Sequence, residues 1–195
     1  MGRLDSVNPT KLYVGGMIGG VILAIGIAGI VQYTQRSSSD SGFSTWQAAP
    51  SDAPFAAQFP NTPDVGTEPL ALPNGKTAIQ RQYTASDAKG SVYFLFTIQY
   101  PDPIDLTTPE PVLRAGLEGM VQSSPTNRLA ASTFGTFQNM PAVDFRIEDA
   151  AGNLTYRGKL FARDRTLYQL FIAHDTGSFD ESAYAHFLKT FAVIP

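Results

Sequence analysis

The stretch SVYFLFTIQY, residues 91–100, is the most strand-like segment of this chain and determines the kind of fold that it can form. In an extended strand, Val92 and Phe94 lie on one face and Tyr93 and Leu95 on the other, because successive side chains alternate. Both faces of the segment are therefore apolar. A strand of this kind is typical of the centre of a sheet, so the sequence predicts a sheet that is covered on both sides.

Strand patterns of the same kind flank this central segment. Short turn clusters such as Pro73-Asn74-Gly75 separate them, and tight turns between consecutive strands indicate antiparallel pairing. The predicted strands occupy residues 67–72, 76–85, 91–100, 129–138, 142–148, 154–163 and 166–174.

Two segments have helical rather than strand periodicity. Thr108 and Pro109 suit the start of a helix, and leucines and valines at helical spacing follow them. Ser178 and Glu181 have the spacing of a capping box, which predicts a last helix through about Lys189. Separate helices and antiparallel strands together predict an α+β fold, an antiparallel sheet flanked by helices.

The N-terminal part of the chain predicts a membrane anchor. Residues 12–31 contain no charged side chain, and twenty helical residues span the roughly 30 Å hydrocarbon core of a bilayer. A cleaved signal peptide is the alternative, but its apolar core is shorter, about 7–15 residues. We therefore expect an N-terminal tail at residues 1–11, a transmembrane helix at 12–34, a Ser/Pro-rich linker at 35–54 and a globular domain at 55–195.

The charges that flank this segment predict its orientation. Arg3 and Lys11 precede it, whereas Arg36 alone follows it before the acidic Asp40. Because positive flanks stay on the cytoplasmic side, the sequence places the N-terminus in the cytoplasm. We expect a single-pass protein of the inner (cytoplasmic) membrane whose C-terminal domain is periplasmic or lumenal.

Small residues recur along the apolar segment at a spacing that suits helix packing. Small side chains let two membrane helices approach closely, and the partner helix is either a second copy of this chain or a different subunit. The candidate packing residues are Gly15, Gly16, Gly19, Gly20, Ala24 and Ala28.

Five residues are candidates for docking a protein partner. Trp46 is an aromatic in the otherwise polar linker, and it docks on the domain, the bilayer surface or a partner. Arg157, Lys159, Arg163 and Arg165 form the one basic cluster, and the first three share strand parity. This cluster is either a solvated, partly self-neutralised edge or a docking patch for an acidic partner.

Composition narrows the classes of function. With no cysteine among 195 residues, the chain has no disulfide framework and no cysteine-ligated metal site. With 17 acidic and 14 basic residues it lacks the basic character of nucleic-acid binders. No catalytic or phosphate-binding motif occurs, and His174 and His186 have no metal-ligand spacing. We expect no catalytic residue, no cofactor and no metal.

Several short motifs of the domain resemble the PsbP/Mog1-like family. FAAQFP at residues 55–60 is similar to its opening strand, RTLYQL at 165–170 to its central meander, and FLKTF at 187–191 to its closing helix. The resemblance implies an α/β/α sandwich, an antiparallel sheet between helical layers. It also implies a mostly non-enzymatic role, such as an extrinsic photosystem subunit or an assembly factor.

The sequence thus predicts a non-catalytic, membrane-anchored accessory subunit that stabilises or caps a larger membrane complex on its non-cytoplasmic side. The family resemblance implies a photosynthetic or electron-transfer assembly as the host. Its expected partners are other membrane subunits and the lipid bilayer. The alternative is a periplasmic ligand-binding or sensing module that dimerises through its transmembrane helix.

Overall fold

A computed structural model describes residues 43–72 and 74–194 of the chain. The described part begins with a short 3-10 turn at Phe43–Thr45, and within it two α-helices lie among eleven strands. The helices are α1 (Pro109–Gln122) and α2 (Glu181–Thr190). The strands are β1 (Gln47–Ala48), β2 (Phe55–Ala56), β3 (Gln58–Phe59), β4 (Asp64–Ala71), β5 (Thr77–Ser86), β6 (Val92–Gln99), β7 (Asn127–Phe137), β8 (Met140–Asp149), β9 (Leu154–Arg163), β10 (Thr166–Asp175) and β11 (Ala192–Val193).

One antiparallel sheet of seven strands organises the described residues. Its strand order is β4-β5-β6-β10-β9-β8-β7, so β4 and β7 form its two edges. The short strands pair separately, β1 with β3 and β2 with β11. The antiparallel pairing follows from the tight turns that the sequence contains.

Strand β6 is an interior strand with apolar side chains on both faces, as its sequence predicts. Seven of its eight residues are buried, and it pairs with β5 on one side and β10 on the other. Phe94 and Phe96 belong to the core on the side of α1, which we call the α1 face. Tyr93 and Leu95 belong to the core on the side of α2, the α2 face.

Helix α1 covers part of the α1 face. Its helical spacing buries Leu113, Leu117 and Met120 against the sheet, and Pro109 opens the first turn as predicted. Thr108 precedes it but makes no side-chain hydrogen bond to the helix. A β-carbon at Gly116 would lie 2.8 Å from a methyl group of Leu160, so this glycine allows α1 to lie close to β9.

Helix α2 covers part of the opposite face and buries Ala183, Tyr184 and Phe187. Its N-terminal cap is Asp180, whose carboxylate accepts a hydrogen bond from the Ala183 N–H at 3.0 Å. The predicted cap, Ser178, instead donates to the carbonyl of Asp175. Aspartate and serine both suit this position, and the fold selects the aspartate two residues later.

The predicted α+β sandwich is wrong. Of the described residues, 50% lie in strands and 18% in helices, so the fold is mostly β. The helical patterns cover only 14 and 10 residues, too few to form a layer on either face. On the α2 face, residues 46–59 and the C-terminal segment supply the rest of the cover, with Phe55, Phe59 and Phe191 buried.

The predicted transmembrane helix and the tail before it lie outside the described residues. Within residues 43–72 and 74–194, no helix has the length and apolar character needed to cross a bilayer. The last residues of the predicted linker, from Phe43 onward, contact the domain: Trp46 and Ala49 pack against the core of the α2 face.

Candidate functional site

Arg157 is the fourth residue of β9, near the start of the strand, and is held by the start of α2. Its guanidinium pairs with the Glu181 carboxylate at 3.1 Å. It also lies over the rings of Phe179 and Tyr184, at 4.4 and 5.3 Å from their centroids. Ion pairing and cation–π contact both fix the side chain, so its charge serves the attachment of α2 to the sheet.

Lys159 is also satisfied within the domain. Its ammonium pairs with Asp144, the residue directly opposite on β8, and lies 5.4 Å from the Phe137 ring centroid. Only 15% of its side chain is exposed. Strand β9 is an interior strand rather than an edge, and the β8 residue that faces Arg157 is Arg146, which pairs with Glu148 at 3.5 Å. This part of the cluster is neutralised by carboxylates of the domain itself.

Arg163 is the last residue of β9, and Arg165 lies in the turn from β9 into β10. Arg163 is 43% exposed, and its one carboxylate neighbour is the adjacent Asp164 at 3.6 Å. Arg165 is exposed and forms no ion pair with any described residue. These two guanidinium groups therefore face solvent with little compensation from the domain.

An open cleft of about 450 Å³ is lined in part by Arg163, and we call it the turn-end cleft. Its apolar lining combines residues at the margins of both cores, since Leu106 packs on the core of the α1 face and Val193 on that of the α2 face. The residues that line it are Leu106, Gln138, Asn139, Met140, Pro141, Ala162, Arg163, Asp164, Ala192 and Val193.

Two tight turns shape this cleft. Gln138 and Asn139 connect β7 to β8 with φ of 50° and 63°, the left-handed conformation that two-residue hairpins require. Asp164, with φ of 53°, begins the turn from β9 to β10. The Gln138 side chain donates a hydrogen bond to the carbonyl of Phe191 at 2.6 Å, which fixes the C-terminal segment along the cleft.

The cleft offers groups that bind rather than react. The amides of Gln138 and Asn139 donate and accept hydrogen bonds, and Arg163 adds a positive charge to a lining that is partly apolar. Away from the cleft, burial raises the pKa of Tyr156 to about 12, so this phenol is neutral at physiological pH.

Trp46, the candidate aromatic of the linker, packs on its own domain. Its ring contacts Tyr93 at 5.3 Å and His186 at 4.8 Å, both edge to face. The Phe43 ring stacks on the His186 ring, with 4.2 Å between their centroids. Burial, followed by the charge of Lys189, lowers the pKa of His186. Of the three docking places open to Trp46, the structure shows contact with the domain.

Neither His174 nor His186 belongs to a cluster of described side chains that could bind a metal ion. His174 packs against Phe179 and makes its hydrogen bond through Nδ1 to the carbonyl of Asp175 at 2.9 Å. His186 shares a hydrogen bond with the Gln58 side chain at 2.8 Å. Among residues 43–72 and 74–194, no three His, Asp or Glu side chains converge to hold a metal.

The structure thus divides the predicted docking residues. Arg157 and Lys159 are paired within the domain, Arg163 lines the turn-end cleft, and Arg165 is exposed in the turn that follows it. The helix-packing residues of segment 12–34 lie outside the described residues. Sequence reasoning missed the cleft itself. The turns 138–139 and 164–165 could have indicated its position, because both lie at the same end of an antiparallel sheet.

Comparisons with known proteins add no family to this description. Neither the models of protein families nor the curated protein sequences contain a match to this chain. The resemblance to the PsbP/Mog1-like family therefore stays a prediction.

Proposed function

We propose that this chain is a non-catalytic accessory subunit that binds another protein through its turn-end cleft. The observation that carries the proposal is the difference between the basic residues of β9. Arg157 and Lys159 are paired inside the domain, whereas Arg163 lines the cleft and Arg165 is two residues further on, both with little compensation. Weakly compensated charge beside a partly apolar cleft suits a complementary partner.

The chemistry of the cleft favours a partner segment that is apolar and ends in a carboxylate-bearing side chain. The apolar part would cover Leu106, Met140 and Val193, and burial of apolar surface contributes about 25 cal/mol per Å². The carboxylate would pair with Arg163 or Arg165. An exposed ion pair contributes at most about 1 kcal/mol, so the arginines act mainly on orientation and association rate.

Membrane attachment supports the role of an accessory subunit. The uncharged residues 12–31 are separated by residues 32–42 from Phe43, which already contacts the domain. Their basic N-terminal flank favours a periplasmic or lumenal position for the domain. A tethered domain meets membrane-protein partners at a high effective concentration, so a weak contact in the cleft is sufficient.

Gentle detergent extraction of membranes that contain the full-length chain tests this proposal. The double variant Arg163→Glu/Arg165→Glu should lose the proteins that co-purify with the wild-type chain, because it reverses the charge beside the cleft. Arg128→Glu is the matched control, since Arg128 is exposed at the opposite end of the sheet and forms no ion pair with described residues.

Equal co-purification by both variants would contradict the proposal, and so would a wild-type chain that elutes without any partner protein. A small molecule that elutes with the wild type and is lost from the double variant would instead support the ligand-binding alternative.

A further inference from the structure

The two edges of the seven-stranded sheet are protected to different degrees. Strand β4 carries Asp64 and Glu68 together with Pro69, all of which discourage another strand from pairing. Strand β7, at the other edge, has neither proline nor charge in residues 131–137. Charge, proline and short length are the usual means by which edge strands avoid pairing.

The outer side of β7 is accessible as well as uncharged. Strand β7 is 11 residues long, and Ser132, Thr133, Gly135 and Thr136 are all exposed. Helix α1 contacts β7 from one face only, where Arg114 lies over the Phe134 ring at 4.8 Å. No described strand other than β8 pairs with β7. Its outward N–H and C=O groups therefore form a template for another strand.

A bulge limits the usable part of this edge. The register between β7 and β8 shifts between Leu129 and Ala131, which twists the first residues of the strand away from regular pairing. Residues 131–137 pair regularly with β8 and remain available on their outer side.

We propose that β7 pairs antiparallel with β7 of a second copy of this chain, joining two seven-stranded sheets into one of fourteen strands. The only charge on the strand is Arg128, near its start. In an antiparallel pair centred within residues 131–137, the two Arg128 side chains lie at opposite ends, so no like charges face each other. The uncharged, small-residue strand is thus complementary to itself. This inference goes beyond the proposed function, because the turn-end cleft takes no part in it.

Symmetry makes this pairing compatible with a common membrane. An antiparallel pair of identical edge strands has its twofold axis perpendicular to the sheet, so both α2 faces point to the same side. Phe43 and Trp46 lie on the α2 face, through their contacts with His186 and Tyr93. The first described residues of both copies therefore lie on the same side of the joined sheet, as anchoring in one bilayer requires.

Single cysteines test the pairing directly, because the natural chain contains none. Thr133→Cys places the sole thiol on β7, and Thr67→Cys places it on β4. Both threonines are exposed, and both lie on the α2 face, at opposite edges of the sheet. With the full-length chain in detergent, a short bis-maleimide should cross-link Thr133→Cys into a dimer of about twice 21.0 kDa and leave Thr67→Cys monomeric.

A lysine at the same position should break the pair. Thr133→Lys brings like charges together across the twofold axis and should weaken dimerisation about tenfold or more, whereas Thr67→Lys should not change it. Sedimentation of the full-length variants in detergent measures the dissociation constants. Dimers that cross-link equally from both edges would indicate association through residues 12–34 alone and would overturn the proposal. A monomeric wild type, or a dimer that persists in Thr133→Lys, would overturn it too.

Discussion

The two ends of strand β9 carry basic side chains in different surroundings. At one end, Arg157 is fixed by the Glu181 carboxylate and by two aromatic rings of the α2 region. At the other end, Arg163 lines an open cleft and has only the neighbouring Asp164 as a carboxylate partner, and the nearby Arg165 forms no ion pair with a described residue. The same residue type therefore stabilises the fold at one end of the strand and remains available for binding at the other.

The difference between the two ends of β9 depends on the position of this strand in the sheet. We expect Gly158→Ala to disturb that position most. A β-carbon there would lie 2.3 Å from the Leu170 carbonyl oxygen and 2.3 Å from the Phe171 β-carbon. Because backbone atoms of β10 cannot move aside cheaply, we expect a loss of at least about 3 kcal/mol in the free energy of unfolding. Denaturant unfolding of the full chain in detergent measures it, with the fluorescence of Trp46, the only tryptophan, as the signal.

Gly135→Ala is the control for that substitution. No atom lies within 4 Å of the position that its β-carbon would take, so its free energy of unfolding should change by less than about 0.5 kcal/mol. Equal free energies of unfolding for the two glycine variants would contradict the close packing of β9 against β10 at Gly158.

Arg157→Ala should have the next largest effect on stability. It removes the ion pair to Glu181 and the contacts with Phe179 and Tyr184, which together contribute about 1–2 kcal/mol. Arg163→Ala should change the free energy of unfolding by less than about 0.5 kcal/mol, because its one ion pair is exposed. The same unfolding measurement compares them. A larger loss from Arg163→Ala would reverse the roles assigned to the two ends.

The smallest expected effect concerns the charge of Asp180 at the start of α2. The hydrogen bond from Lys89, then that from the Ala183 N–H, holds the pKa of this carboxyl well below its ordinary value. A carboxyl with a lowered pKa stabilises the fold above its unfolded pKa of about 4, and this contribution is lost as the pH falls further.

Asp180→Asn isolates that contribution, since asparagine retains the ability to cap the helix. The wild type should be more stable than the variant by about 0.3–1 kcal/mol at pH 6, and the difference should shrink towards pH 2. Unfolding free energies at the two pH values measure it. A difference that stays constant with pH would show that the charge of Asp180 has no part in stabilising α2.

The positions of most long strands along the chain could be predicted from the sequence. Residues 154–163 match β9 at both ends, because the Gly152-Asn153 and Asp164-Arg165 turns mark its limits. Local turn chemistry and alternation are sufficient for such boundaries. The choice of Asp180 over Ser178 as the cap of α2 was not predictable in this way, because it depends on where the loop after β10 meets Lys89.

The low helix content of the fold depends on contacts between residues that are distant in sequence. The turn-end cleft depends on such contacts too. The cover of the α2 face includes Phe55 and Phe191, far apart in the chain. Phe55 lies in β2 and Phe191 directly precedes β11, and these two-residue strands are too short for periodicity to detect. The turn-end cleft brings Leu106, Gln138 and Val193 together from three separate segments. Sequence alone identified Arg163 and Arg165 as docking candidates, but it did not separate them from Arg157 and Lys159, whose carboxylate partners come from β8 and α2.

The central claim, that a partner protein binds at the Arg163 end of β9, is tested most directly by photo-crosslinking in intact membranes. The photoreactive residue p-benzoylphenylalanine replaces Val193 in the turn-end cleft or, as the control, Ser178 beside the Phe179 ring that Arg157 covers. We expect a cross-link from position 193 to a second, different protein, and none from position 178. A cross-link from position 178 alone, or from neither position, would contradict the claim.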